Sequence, residues 1–352
     1  MASRRLIVTL VLILMTTFLL WLGISNIHFE PYGNILLAFQ ADDQRLFNLM
    51  DVSSGEVSPI PAGGEPRLPK NAHQFSSSGD GKRLAFAGAT EGNVNKIYVA
   101  NTDGSNVLAI SSGPRDSDPQ MSPDGTTIIF VRSSNYFSAL FSVDVPSGQE
   151  TQLTDFTNDL EPAWSPDGQR IVFTTSRDGF QELYTMSPDG SALQRMTTNE
   201  LQNDLHAAYS PDGQWIAYMS NYSVGDGTAE IWLMRADGSE QQRLTENDVD
   251  DLYPIWSPDS QKIAFTRVHA DHHGSDITVY TLAGRKQLQL THVPEYAYDP
   301  QWSPDSRWLA YVEDLPSKHE RSLHLIRVDG SEGRLLATDP DLHIGWGIRW
   351  LR

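Results

Sequence analysis

One short pattern recurs along this chain and limits what it can become. It reads Glu161-Pro-Ala-Trp-Ser-Pro-Asp-Gly168, with a close copy at Asp299-Pro-Gln-Trp-Ser-Pro-Asp-Ser306 and others at Asp118–Gly125, His206–Gly213 and Tyr253–Ser260. The pattern serines Ser122, Ser165, Ser210, Ser257 and Ser303 stand 43, 45, 47 and 46 residues apart. A steady period in the forties is the mark of stacked supersecondary units, each too small to bury its own apolar face alone.

Within one period the chemistry is local. Ser-Pro-Asp-Gly suits a type I turn, with Pro supplying the fixed φ and Gly following it. A short apolar segment precedes the turn, and an alternating run such as Ile171-Val-Phe173 or Ile216-Ala-Tyr218 follows it, which predicts a β-hairpin. A second apolar strand comes next (Leu183–Met186, Ile231–Met234, Leu323–Ile326), then a glycine turn and a short strand ending near Arg-Leu-Thr. Four strands per period make one propeller blade.

The glycine turns give an independent register: Gly55, Gly104, Gly148, Gly190, Gly238, Gly284 and Gly330. The first period, from Ile35 to Ile60, has three strands and lacks its first; Gly347-Ile-Arg-Trp-Leu351 resembles the missing one. The second period, around His73–Gly81, is eroded, with Phe75 expected where others carry Trp and a turn lengthened by about two residues. The expectation is therefore an all-β, seven-bladed β-propeller of four-stranded antiparallel blades, closed by the C-terminal strand. Closure would remove the sheet edges that invite aggregation. The bulky residues Phe75, Met121, Trp164, Tyr209, Trp256, Trp302 and Trp350 are expected to form its inter-blade packing layer.

Ahead of the repeats, Arg4 and Arg5 precede an almost wholly apolar run, Leu6 to Leu22. A helix over residues 6–23 nearly crosses a hydrocarbon core of about 30 Å. Basic residues before it predict a cytoplasmic N-terminus and an exported remainder. The expected organisation is residues 1–5 cytoplasmic, 6–23 a transmembrane signal anchor or a signal peptide, 24–33 a linker and 34–352 the propeller. The propeller is then membrane-anchored outside the cytoplasm, in periplasm or at the cell surface, or secreted if the anchor is cleaved.

The net charge of −19 disfavours nucleic acid and anionic lipid surfaces as partners, because both are bound through Lys and Arg. The chain has no cysteine, which excludes disulfides, thiol nucleophiles and thiolate metal sites. Metalloprotease, Walker and dinucleotide motifs are missing, as is Gly-x-Ser-x-Gly.

The run Pro-x-Trp-Ser-Pro-Asp-Gly, Thr175–Gly179, Glu182-Leu-Tyr184, then Asp-Gly-Ser followed by Arg-Met-Thr resembles the TolB-type WD-like propeller repeat. The resemblance covers essentially everything after the apolar segment. It implies fold far more than function, since such blades occur in periplasmic scaffolds, in sensors and in the gating domains of prolyl-oligopeptidase-like peptidases. The TolB proteins themselves have six blades and an N-terminal α/β domain; this chain counts seven and has no room for that domain.

Acidic residues crowd the loops leading into the first strands. Asp118, Glu161, Asp204, Asp250, Asp251 and Asp299, with His206 on the rim, are expected to ring one channel mouth and to attract a protein or a basic peptide. The expected function is a non-catalytic binding or assembly scaffold with no resident cofactor. The alternative is a metal-dependent enzyme such as a polysaccharide lyase, because the loop Val268–Asp276 offers His269, Asp271, His272 and His273 as ligands for a divalent metal. An acidic mouth would repel a polyanionic sugar, and the loops leading into the first strands offer only Arg115 to hold one. A bare spacer with no ligand is a third reading.

Overall fold

The computed structural model describes residues 34–41, 44–53, 57–59, 69–89, 94–198, 201–222, 227–318, 320–338 and 349–351. The expected anchor and linker, residues 6–33, lie outside the described residues, as does Gly55. No helix among the described residues is long and apolar enough to cross a membrane.

The turn chemistry explains the hairpins. In Ser122-Pro-Asp-Gly125 the Ser122 hydroxyl donates to Asp124 Oδ1 (2.6 Å) and accepts the Thr127 N–H (3.0 Å), while the Gly125 N–H donates to the Ser122 carbonyl (2.9 Å). The same three bonds recur at Ser165, Ser210, Ser257 and Ser303. They recur also at Ser78, where Gly79 replaces Pro. The second-period turn is therefore not lengthened. Ser77, paired with Leu84, occupies the position of Trp164, paired with Ile171, and Phe75 falls two residues earlier.

Each hairpin extends into an antiparallel four-stranded sheet. These comprise Lys70–Ser77 with Arg83–Ala89, Asn95–Asn101 and Leu108–Ala109; Asp116–Met121 with Thr127–Ser133, Ser138–Asp144 and Glu150–Gln152; and Asp159–Trp164 with Ile171–Thr175, Glu182–Met186 and Gln194–Arg195. A further one combines Gln202–Tyr209, Trp215–Tyr222, Glu230–Arg235 and Gln242–Arg243. The strands Asp251–Trp256 to Lys286–Gln289 and Tyr296–Trp302 to Gly333–Thr338 repeat the pattern twice more, linked into one sheet by a single parallel pairing, Ser275 with Tyr296. The strands Asn34–Ala41, Gln44–Asp51 and Val57–Pro59 share a sheet with Arg349–Leu351, which pairs antiparallel through Asn34–Leu351, Ile35–Trp350 and Leu36–Arg349.

The core lies between sheets rather than inside any one. Ala85, Ala87 and Ile97 pack against Met121, Ile128 and Phe130 of the next sheet; Val172 and Leu183 pack against Ile216, Tyr218 and Met234. Ile35, Met50 and Val52, near the chain's start, pack against Trp308, Val312 and Leu323. The indole N–H groups of Trp164, Trp256 and Trp302 each reach back to the preceding sheet, at the carbonyls of Gln120 (2.9 Å), Ala208 (3.0 Å) and Ile255 (3.3 Å). Sheets with both faces apolar and one tryptophan aimed backward have one way to satisfy themselves, which is to stack on neighbours of the same kind.

The Ser210 side chain is fully buried and bonded on both sides of its turn. Ser210→Ala orphans the Trp215 N–H and costs about 1–3 kcal/mol, read as a lower urea midpoint at unchanged m-value. An unchanged midpoint would mean that the hydroxyl contributes nothing to the turn.

Candidate functional site: a ring of bulge residues

Six first strands among the described residues carry an irregularity at the same place. Four residues before each turn serine the backbone enters the left-handed region: Gln74 (φ 56°), Asp118 (49°), Glu161 (53°), His206 (52°), Tyr253 (55°) and Asp299 (53°). The pairing registers shift there, as between Ser117 and Gln120 or Leu160 and Ala163. A β-bulge adds one residue to one strand and re-aims it. At two of these bulges the backbone N–H turns to the preceding sheet: the Asp118 N–H donates to Gln74 Oε1 (2.8 Å), and the His206 N–H to Glu161 Oε2 (2.8 Å). From Gln74 through Asp118, Glu161 and His206 to Tyr253, bulge residues of successive sheets thus follow one another in contact.

The ring is mixed in chemistry. Glu161 also accepts from Thr174 Oγ1 (3.1 Å) and lies 3.1 Å from His206 Nδ1. The His206 ring meets Tyr253 edge-on, centroids 4.7 Å apart, and Tyr253 is 53% exposed. Gln120 Nε2 and Gln301 Nε2 hold Asp118 and Asp299 in the same way, each at 3.3 Å. Burial pushes the Asp118 carboxyl up to about 6, and the Glu161 carboxylate adds to the rise, against hydrogen bonds from Gln120 and the Glu161 backbone. Burial lowers the His206 imidazole, opposed by the charge of Glu161.

Asp118, Glu161 and His206 are therefore brought together with Gln74 and Tyr253, while Asp299 holds the equivalent bulge on its own strand. The other residues expected beside them stand elsewhere. Asp204 and Asp251 sit two residues before the bulge, where Asp116 and Asp159 also sit, and all four side chains are fully buried. Arg132 grips Asp116 with two hydrogen bonds (2.7 and 3.0 Å), Arg267 grips Asp251 likewise (2.7 and 2.8 Å), and Arg177 reaches Asp159 (3.0 Å). Asp250 Oδ1 accepts the Ala229 N–H of the adjacent sheet (2.7 Å). These carboxylates join strands and sheets. The Gln74 and Tyr253 positions are legible as a fixed offset of four from the turn serine, a signal stronger than the acidity of the loops.

A second set of buried acids fastens the outer strands. Glu182 and Glu230 accept from Thr197 and Thr245 (each 2.5 Å) and from Arg195 and Arg243 (2.8 and 2.7 Å). Asp276 takes the same role with Thr291 (2.8 Å) and Gln289 (2.8 Å). The histidine-rich loop is drawn into this set: His269 Nε2 lies 3.0 Å from Asp276 Oδ2, Asp271 accepts the His273 N–H (3.0 Å), and His272 closes the turn with φ 57°. Gly274 is required there, because a Cβ would collide with the Glu295 carbonyl and the His269 ring. Among the described residues no three of His, Asp or Glu are grouped to hold a metal ion. Ser322 Oγ and Glu313 Oε2 both address Nε2 of His324 (2.8 and 3.3 Å), one nitrogen rather than the two that a Ser-His-acid relay uses.

A family model described as the TolB beta propeller domain, PD40, matches residues 157–342. A comparison with curated proteins finds none that matches the chain. Among solved structures, TolB from Acinetobacter baumannii is similar at 19% identity and TM-score 0.55, covering 90% of this chain and 82% of that one. An oligogalacturonate lyase in complex with manganese is similar at 14% identity and TM-score 0.62 (89% and 90%). The β-propeller domain of the Trilobed protease from Pyrococcus furiosus, described as having an open velcro topology, is similar at 14% and 0.62 (88% and 97%). At such identities the likeness is one of fold.

The sign of the Asp118 shift gives a test. A carboxyl raised from 3.8 to about 6 makes the folded state bind the proton more tightly, so its contribution is present at low pH and lost as pH rises through about 6. Asp118→Asn should stabilise the protein at pH 8 by on the order of 1 kcal/mol, with the gain vanishing near pH 4. Urea midpoints of both proteins at the two pH values measure it; an equal difference at both would refute the shift.

Proposed function

Because the chain belongs to the TolB beta propeller domain family, we propose that it acts as a binding or assembly scaffold whose contact surface is the ring of bulge residues, with no catalysis of its own. The observation that supports this reading is the run of contacts from Asp118 through Glu161 and His206 to the half-exposed Tyr253, with Asp299 at the equivalent bulge of its own strand. Three carboxylates beside an aromatic ring suit a cationic side chain of a protein or basic peptide, through charge and cation–π contact. Asp204, Asp250 and Asp251 belong in this reading to the walls that hold the ring in place.

The same reading takes the propeller as seven-bladed and closed, spanning residues 34–352, with Arg349–Leu351 supplying the first strand of the opening blade. It takes residues 6–23 as an anchor or signal peptide, from the apolar run after Arg4 and Arg5, with 1–5 in the cytoplasm, 24–33 as linker and the propeller outside. The enzyme alternative keeps His269, Asp271, His272 and His273 as ligands of a divalent metal, by analogy with the fold of the manganese-bound lyase.

The test is titration of the purified full chain with a lysine- and arginine-rich decapeptide, beside metal analysis of the same preparation. Combined Asp118→Asn, Glu161→Gln and Asp299→Asn should weaken binding at least tenfold and flatten its salt dependence. Equal binding by wild type and variant would overturn the scaffold reading. Bound manganese or zinc, lost in His272→Ala together with cleavage of an acidic polysaccharide, would put the enzyme first.

A further inference from the structure

The repeats can be compared rung by rung, and one rung stands apart. An equivalent rung of the first hairpin pairs the buried Asp with a residue on the second strand: Asp116 with Arg132, Asp159 with Thr175, Asp204 with Ser220 and Asp251 with Arg267; in the third of these the pairing runs two rungs further, to Gln202 with Tyr222. In three of these sheets a guanidinium fills the space above it. Arg132 lies 4.3 Å over the Phe141 ring while holding Asp116 and Glu150; Arg177, two residues beyond Thr175, lies 4.9 Å over Tyr184 while holding Asp159; Arg267 holds Asp251 and Gln287. The ring position of Phe141 and Tyr184 corresponds to Trp232, which pairs with Tyr218 as Phe141 pairs with Phe130 and Tyr184 with Phe173.

In the Gln202–Arg243 sheet the guanidinium is not supplied. Its rung carries Ser220, and neither Lys nor Arg occurs between Trp215 and Met234. The space is a hollow of about 230 Å³ whose walls include Ser220, Trp232, Glu230, Asp248, Asn247 and Arg243. Glu230 is almost wholly buried and already holds Arg243 (2.7 Å), as Glu182 holds Arg195, so Arg243 serves the staple that each neighbouring sheet possesses. With Glu230 and Asp248 against one arginine, the walls carry one net negative charge.

We propose that this hollow is a binding site for a guanidinium group, which would take over the Trp232 ring the place that Arg132 and Arg177 take over Phe141 and Tyr184. Planar cations stack on indole more favourably than on phenyl, and a guanidinium can hydrogen-bond to carboxylate, amide and hydroxyl walls in its own plane. The site is separate from the ring of bulge residues and holds whether or not that ring binds a partner. Free arginine derivatives and an arginine side chain of a peptide share this chemistry, and the hollow is large enough for the head group with part of its stem.

Calorimetric titration of the full chain with agmatine, with N-carbamoylputrescine, which keeps the ammonium but carries a neutral ureido group in place of the guanidinium, and with a capped Gly-Arg-Gly peptide tests the site. Agmatine and the peptide should bind, and the ureido analogue should bind at least tenfold more weakly. A peptide at least tenfold tighter than agmatine identifies a protein source; the reverse identifies a free amine. Ser220→Arg, which installs the residue found on the equivalent rungs, should abolish binding and raise the melting temperature, and Trp232→Leu should weaken binding at least tenfold. Asp103→Asn, on an exposed turn outside both the hollow and the bulge residues, should leave it unchanged. No binding by the wild type, binding that survives Ser220→Arg, or equal binding of agmatine and its ureido analogue would overturn the assignment.

Discussion

A residue held in left-handed backbone in the middle of six first strands is the constraint from which much of the molecule follows. For a non-glycine residue that conformation is costly, and it persists only where the surroundings over-determine it. Here Gln74 and Glu161 return the cost by accepting an N–H from the next sheet, at Asp118 and His206. The same twist frees one side chain per sheet from the packing between sheets and delivers it to the common edge. Fold stability and the candidate contact surface are thus two results of one backbone irregularity.

Around that edge the buried acids do structural work in two tiers. Asp116, Asp159 and Asp251 are matched to arginines within their own hairpins, while Glu182, Glu230 and Asp276 tie third strands to fourth. Removing one partner of such a pair leaves a buried charge, so these contacts specify register more than they add net stability. The loop from His269 to Gly274 illustrates the point: its first histidine is tied to Asp276, which also anchors the fourth strand through Thr291.

Much of the architecture could be read in the sequence because each repeat states it in the same words. Ser-Pro-Asp-Gly gives the hairpin, and glycines such as Gly104, Gly190 and Gly330 do adopt positive φ at the outer turns. The site was legible in part. Acidity near the first strands points to the right region, but residues two apart on a regular strand share a face, and a bulge resets that alternation. Asp204 and His206 therefore exchange roles that proximity in sequence assigns to the acid. Tyr253 carries no charge to mark it, although it stands four residues before Ser257 as Asp118 stands before Ser122. The second period is obscure for a different reason: with Gly79 in place of Pro its turn lacks the usual spelling, and Phe75 offers an aromatic two residues before Ser77, which holds the tryptophan position.

The pairing of Ile35 with Trp350 has a bearing on how the protein is made. Strands so far apart in sequence cannot meet until everything between them has left the ribosome, and closing a loop of that length carries an entropic cost that only the finished stack of sheets offsets. Until then the sheet opened by Asn34–Ala41 waits with an unsatisfied edge. A sheet begun before its neighbours is thereby completed after them, and the growing chain must be kept from pairing with itself or with others during that interval.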